Sequence, residues 1–466
     1  MSTNTGGFQA LFNQFFAHQL TDEQARLRDL LYEFSVDKDP NPVLVLSGYA
    51  GTGKTSMLGA YVKTLDHFQV KSKLLAPTGR AAKVLANRSK KEAFTIHKQI
   101  YRRKESTDEY SALGLMPNLH ANTVFIVDEA SMIPEFSVQK DGTIGRELLS
   151  DLIEYVFSGK NCKLIFLGDR GQLPPVGSAE SPALNVDFLD RMFHQRLKLR
   201  SFTLTQVLRQ NQSSAILDNA THLRSITFPE IYDFKFNTTD FIQLSGEFLQ
   251  DELERCYNEF GAEETLVITR SNKRANLFNQ NIRGRVLWYE EQLCQEDYLM
   301  VVKNNYFWLK DDSKAGFIAN GELLKLKRIL KYEEQYGFTF AKVRIAMVDY
   351  PEEDEFEVYL LIESLETEAP NVPRERLKEL FFEIEKDYLH EKNKRKRYEM
   401  ILKNPFFNAL QVKYAYAVTC HKAQGGQWAA VFIDQGYVPE DQLNQEHYRW
   451  IYTAITRATE RVYWLG

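Results

Sequence analysis

The residues with the plainest chemical signature lie in one short stretch, "LSGYAGTGKT" (46–55). Gly48, Gly53, Lys54 and Thr55 follow the order G-x-x-x-x-G-K-[ST], and Ala50, Gly51 and Thr52 keep the interior small. Glycines at this spacing let successive backbone N–H groups turn toward one anion at a helix N-terminus. Lys54 would then reach the β- and γ-phosphates of a nucleotide, and the Thr55 hydroxyl would ligate Mg²⁺. A second chemical pair follows in "TVFIVDEASM", where Asp128 and Glu129 end an apolar run. Adjacent carboxylates there suit Mg²⁺ held through Asp128 and an attacking water polarised by Glu129. Acidic residues commonly end strands, so the pair draws its meaning from the loop upstream.

Such groups work only if rigid elements hold them. "VLVLS" before the loop has strand length and composition, and "SMLGAYVKTL" after it patterns as an amphipathic helix. Short apolar runs alternate with helical patterns through the first 200 residues: "VLVLS", "KLLA", "TVFIV" and "KLIFLGD". This is how buried parallel strands of an α/β sheet read, with functional groups at their carboxyl ends. A second series comprises "TLVIT" (265–269), "YAYAVT" (414–419), "AVFID" (430–434) and the terminal "VYWLG". The interval 290–408 has another texture, with β-patterned pieces and then a charged helical stretch over 373–403. A small β-barrel with a helical arm fits that order. The run "KNKRKR" within the arm reads first as a solvated helix face and second as a backbone contact for nucleic acid.

At 466 residues the chain exceeds one compact core, and its 44% hydrophobic and 26% charged residues are those of a soluble globular protein. A net charge of −5 announces no nucleic-acid partner, so any such surface must be a local basic groove. Cys162, Cys256, Cys294 and Cys420 are dispersed, which argues against zinc and a disulfide framework and for reduced thiols in a cytoplasmic setting. No apolar run has the length of a membrane span, and no signal peptide is evident.

Seven strings occur in order: "APTGRAAKVL" (76–85), "FTIHKQI" (94–100), the "VDEASM" of the acid pair (127–132), "LGDRGQLPPVGSA" (167–179), "LTQVLRQ" (204–210), "VTCHKAQGGQW" (418–428) and "YTAITRATERV" (452–462). Together they resemble the motif series of superfamily 1 helicases, in the 5′→3′ branch that contains RecD and Dda. The resemblance implies an α/β fold of two RecA-like motor domains, with ATP between them and single-stranded DNA across their tops. The expected division is 1–200 for the first motor domain, 201–289 and 409–466 for the two parts of the second, and 290–408 for the insertion.

The resemblance also implies roles. Gln172 would sense the γ-phosphate, and Arg209 and Arg457 would be offered from the second motor domain. A forked, permanently charged guanidinium suits a transferring phosphoryl group, although either arginine also suits a structural ion pair. Gly425 is expected on the nucleotide side. Gln24 has two readings: an adenine-reading glutamine, and the closing residue of a Thr21-x-x-Gln24 capping box. Phosphate contacts to DNA would come from Thr78, Gly79, Thr95, His97, Asn272, Thr419, His421 and Lys422, which carry no sequence information.

These parts imply an ATP- and Mg²⁺-dependent monomeric motor acting on single-stranded and tailed duplex DNA, without a membrane. A nuclease subunit would need a further acidic cluster, and a non-enzymatic scaffold would not need Lys54, Glu129 and Arg457 intact. Nothing in the chain reads a 2′-hydroxyl, so RNA stays open as a substrate. Residues 101–121 occupy the place where relatives carry a duplex-splitting protrusion. Tyr110, Leu113, Leu115 and Met116 are its candidates for stacking on the last base pair, and an ordinary connecting loop is the alternative.

Overall fold

A computed structural model describes residues 5–103, 113–135, 147–207, 214–226, 232–309, 313, 315–439 and 443–466. In its first part run strands β1 (Pro42–Gly48), β2 (Lys71–Ala76), β3 (Ala93–Thr95), β4 (Tyr101–Arg103), β5 (Leu113–Leu115), β6 (Thr123–Val127), β7 (Lys163–Gly168) and β8 (Lys198–Leu204). Six of them form one parallel sheet in the order β3-β2-β6-β7-β1-β8. Every residue of β1, β6 and β7 is buried, which is why these strands read as unbroken apolar runs. The nucleotide loop follows β1 and the acid pair follows β6, so both sit at carboxyl ends of the sheet. β8 continues this sheet past the expected division at 200.

The helix Asp22–Val36 is seated on the same sheet. Its Leu27, Leu31 and Phe34 pack with Phe8 and Phe12 against Met57 and Tyr61 of the helix that follows the nucleotide loop. Burying each of the larger side chains stabilises by roughly 2 kcal/mol.

The second parallel sheet takes β9 (Phe241–Leu244) and β10 (Thr265–Thr269) from before the interruption. Within the interruption lie β11 (Tyr298–Val301), β12 (Leu323–Gln335), β13 (Phe338–Met347), β14 (Phe356–Leu361) and β15 (Val412–Tyr414). After it come β16 (Ala417–Thr419), β17 (Trp428–Asp434) and β18 (Ala458–Leu465), giving the order β16-β10-β17-β18-β9. The two parallel sheets are those expected of a two-motor α/β fold.

The interrupting strands form an antiparallel sheet, β14-β13-β12-β11-β15. Alternating burial along β13 marks one packed face. Tyr336 and Gly337, both at positive φ, make the two-residue turn that joins β12 to β13. A parallel bridge between Leu360 and Leu410 brings the two edges of the sheet together. "YAYAVT" reads as one strand but is two: Tyr414 ends β15 in this third sheet, and Ala417 opens β16 in the second. The third sheet therefore runs beyond 409.

The helices Arg374–Asp387 and Lys394–Leu402 pack on Phe338, Phe340 and Leu361 of this sheet. In the basic run, residues 392–396 are exposed while Arg397 turns inward to Glu385 at 2.8 Å. Among the described residues no helix is long and apolar enough to cross a membrane.

Candidate nucleotide site and nucleic-acid surface

Gly51 and Gly53 take φ values of 76° and 83°, a conformation that a side chain would strain. Gly48 is required for space, because a Cβ there would lie 2.9 Å from the Lys54 side chain. Lys54 folds back across the loop, and its Nζ donates to the carbonyls of Gly48 (2.6 Å) and Tyr49 (2.8 Å). The charge destined for phosphate thus rests on the oxygens of its own loop. Gln24 unites its two readings in one place. It closes the capping box with Thr21, and its Nε2 donates to the Thr52 carbonyl at 3.2 Å.

Asp128 accepts from the Glu129 N–H at 2.9 Å. Burial, and after it the neighbouring Glu129, push the Asp128 carboxyl up to about 7, against the pull of Lys54 and Arg88. Glu129 holds φ at 52°, a left-handed conformation that costs of order 1–3 kcal/mol and recurs at functional sites. Hard oxygen donors from Thr55 and a carboxylate that resists ionising alone are a fit for Mg²⁺. Thr55 Oγ1 meanwhile accepts from Arg88 at 3.3 Å, and the other arm of Arg88 reaches Gln427.

Gln172 lies in the loop after β7, 5% exposed, and among the described residues its Oε1 has no hydrogen-bond partner. A buried orphan acceptor of this kind is a place for a ligand group or a water. Arg457 is also buried and is held within its own domain, donating to Thr453 O (3.0 Å), Gly426 O (3.3 Å) and Thr456 Oγ1 (3.3 Å). Arg209 lies outside the described residues. Gly425 lies close against the first domain: a Cβ on it would meet Ala81 at 3.0 Å, Thr78 Oγ1 at 3.3 Å and Met132 Sδ at 3.5 Å. Its φ of 75° is a backbone conformation that favours glycine.

The expected DNA-contacting residues gather at helix N-termini after strands at one edge of each parallel sheet. Thr78 caps Gly79–Ser89, and Thr95 caps Ile96–Ile100, each hydroxyl accepting a backbone N–H at 3.2 Å. Asn272 is the first residue of Asn272–Asn281, and Thr419 precedes Cys420–Ala423, which holds His421 and Lys422. Burial lowers the affinity of both His421 and Lys422 for their protons. Arg80 joins the two edges: its guanidinium lies over the Trp428 ring at 4.0 Å and donates to Gln427 O at 3.1 Å.

The third sheet leans on the same place. Lys83 donates to Val348 O at 2.7 Å, and a Cβ on Gly79 would lie 2.8 Å from Glu322 Oε1. His97 is packed between Tyr101 and Phe317, at 5.6 and 6.4 Å, and burial pushes it down to about 4. Trp428 stands inside a quoted motif and was legible as a position. Phe317 and Glu322 were not, since nothing in their own stretch points to residues so distant in the chain.

Within 101–121, β4 and β5 pair antiparallel. Leu115 and Met116 are half-buried and pack against the core of the first sheet. Tyr110 lies outside the described residues, and of Leu113 only the backbone is described.

A family model described as "AAA domain" matches residues 19–242, and one described as "UvrD-like helicase C-terminal domain" matches 414–465. An uncharacterized protein of Acanthamoeba polyphaga mimivirus is 21% identical over 95% of this chain and 98% of its own length. The ATP-dependent DNA helicase dda of Enterobacteria phage T4 is 27% identical over 66% of each chain. The ATP-dependent RecD2 DNA helicase of Deinococcus radiodurans is 25% identical over 96% of this chain, which spans 49% of that relative's length. The first matched region carries the first parallel sheet and the second carries β16, β17 and β18 of the other; in these matches and in its ordered motifs the chain is similar to superfamily 1 helicases of the branch that holds RecD and Dda.

Proposed function

We propose that this protein is a DNA helicase that hydrolyses ATP and moves 5′→3′ along single-stranded DNA, unwinding duplex ahead of it. The observation that carries the reading is the seam over the nucleotide loop. Gly51 faces Leu217 and Val207, whose atoms a Cβ would meet at 3.1 and 3.2 Å, and the Arg224 guanidinium lies 4.2 Å from the Tyr49 ring centre. A nucleotide in that loop therefore touches both halves of the molecule, so its binding and loss bias how the halves sit. The polarity follows the branch that the chain resembles.

In this reading Lys54 and the loop N–H groups hold the phosphates, Glu129 polarises the attacking water, and Gln172 senses the γ-phosphate. Gln24 reads the adenine edge. Thr55 and Asp128 would hold Mg²⁺, which when bound neutralises phosphate charge. Arg209 and Arg457 supply positive charge from the second domain. Thr78, Gly79, Thr95, His97, Asn272, Thr419, His421 and Lys422 line the DNA track, and the motor works as a monomer.

The test is strand displacement on duplexes with a 5′ or a 3′ single-stranded tail, with ATP and Mg²⁺. Displacement from the 5′-tailed duplex is expected; preference for the 3′ tail would overturn the polarity. Absence of any DNA-stimulated ATP hydrolysis would overturn the motor itself.

A further inference from the structure

We infer that Tyr452 is a positioning residue for ATP hydrolysis: its hydroxyl ties the loop carrying Gln172 to the nucleotide loop and sets both by the helix that ends at Arg457. This rests on reading the site as an ATPase motor. Tyr452 belongs to the helix Gln445–Ile455 of the second parallel domain and is 2% exposed. Its oxygen accepts from the Ala50 N–H at 2.8 Å and donates to Asp169 Oδ2 at 2.6 Å. One phenol therefore joins the two loops of the first domain that flank the phosphates.

The Gln172 loop is clamped on both sides by the second domain. Ahead of Gln172, Asp169 Oδ1 accepts from Gly171 N–H at 2.8 Å while Oδ2 receives the Tyr452 proton. Behind it, Leu173 N–H donates to Thr453 Oγ1 at 2.8 Å, and Leu173 O accepts from Gln424 Nε2 at 2.7 Å. Position 171 leaves little room for a side chain, since a Cβ there would stand 3.0 Å from the Tyr452 ring. Burial and the neighbouring Asp169 push the phenol far above its ordinary range, so it stays a donor at any working pH. A hydroxyl donating to a carboxylate is among the stronger hydrogen bonds.

Tyr452 also lies on the helix that fixes the arginine. Thr456 Oγ1 donates to Tyr452 O at 2.8 Å, and Arg457 Nε donates to Thr453 O at 3.0 Å. Any rotation of the second domain thus moves Gln172, the Ala50 N–H and Arg457 together. A small displacement of such groups costs turnover far more than binding, on the scale of about 10²-fold per ångström.

The experiment uses Tyr452→Phe, Asp169→Asn and the double variant of the full chain, with steady-state ATPase read with and without an oligo(dT) strand. Phenylalanine keeps the ring packing and loses both hydrogen bonds. Asp169→Asn keeps an amide oxygen that accepts from Gly171 N–H but loses the oxygen that receives the phenol proton, and it reaches the same bond if Tyr452→Phe fails to fold. DNA-stimulated kcat is expected to fall about tenfold or more in each single variant, with KM for ATP changed less than about threefold. The double variant should be no worse than the worse single. Wild-type kcat in both single variants, additive losses in the double, or a KM rise with kcat unchanged would each overturn the inference. If the wild-type chain itself shows no DNA-stimulated ATPase, the motor reading fails instead, and the two failures are told apart.

Discussion

The nucleotide loop and the nucleic-acid surface are built on opposite plans. The loop is one contiguous stretch, with glycines at positive φ and a lysine that bonds carbonyls of the same segment. The surface is pieced together from four helix N-termini on two sheets, and Arg80, Gly425 and the third sheet hold those pieces against each other. Local geometry makes the first; long-range packing makes the second. The first should therefore respond to single substitutions in an all-or-none way, and the second by degrees.

Lys54→Ala is the sharpest test of the first half. It removes the charge proposed to hold phosphate from a loop whose carbonyls that lysine now covers, so ATP turnover should fall to background while the thermal melting midpoint stays near wild type. DNA-stimulated hydrolysis at a normal rate in that variant would break the comparison at its firmer side. Arg457→Ala comes next, with an expected loss of about 10³-fold in turnover and a smaller change in ATP affinity, the scale of an arginine finger. A loss below tenfold would make its three hydrogen bonds to its own domain the whole of its role.

On the surface side the effects shrink. Leu115 and Met116 are half-buried against the core, so the duplex-splitting expectation is tested first on the link between β4 and β5. Replacing 104–112 by a Gly/Ser linker should spare DNA-stimulated ATPase and lower unwinding severalfold more than single-strand translocation. Equal loss of both would assign the segment to support of the motor domain. Affinity for single strands should weaken steeply with salt, as phosphate contacts require, and a strong preference for one sequence over its scrambled control would contradict the track.

The smallest effect concerns His97. Its folded-state value of about 4 lies below the ordinary 6.5, so the unfolded chain binds the proton more readily. The stability it contributes is present above about 6.5 and is lost as pH falls toward 4. His97→Gln should flatten that part of the melting-midpoint profile, and an unchanged slope would show that Phe317 and Tyr101 do not seal the ring from water.

The nucleotide loop was legible in the sequence because its chemistry requires adjacent residues, and the strand and helix around it announce themselves by periodicity. Gln24 was half legible. A capping box is a local pattern, whereas the Thr52 carbonyl beside it is brought there only by the packing of Phe8, Phe12 and Phe34. Gly425 was legible as a motif position, but its contacts across the domain boundary with Thr78 and Ala81 were not. "YAYAVT" misled because apolar alternation does not say which sheet a strand joins.

The sequence by itself determined the two α/β halves, the phosphate loop, the acid pair and the order of motifs, since each rests on backbone preferences or on neighbours within a few residues. Tertiary structure alone decided that Tyr452 meets Ala50 and Asp169, and that the third sheet seats Phe317 and Glu322 on the nucleic-acid motifs. Those contacts join residues hundreds of positions apart. They form only when buried apolar area has already fixed how the sheets lie, and no local pattern in the chain encodes that arrangement.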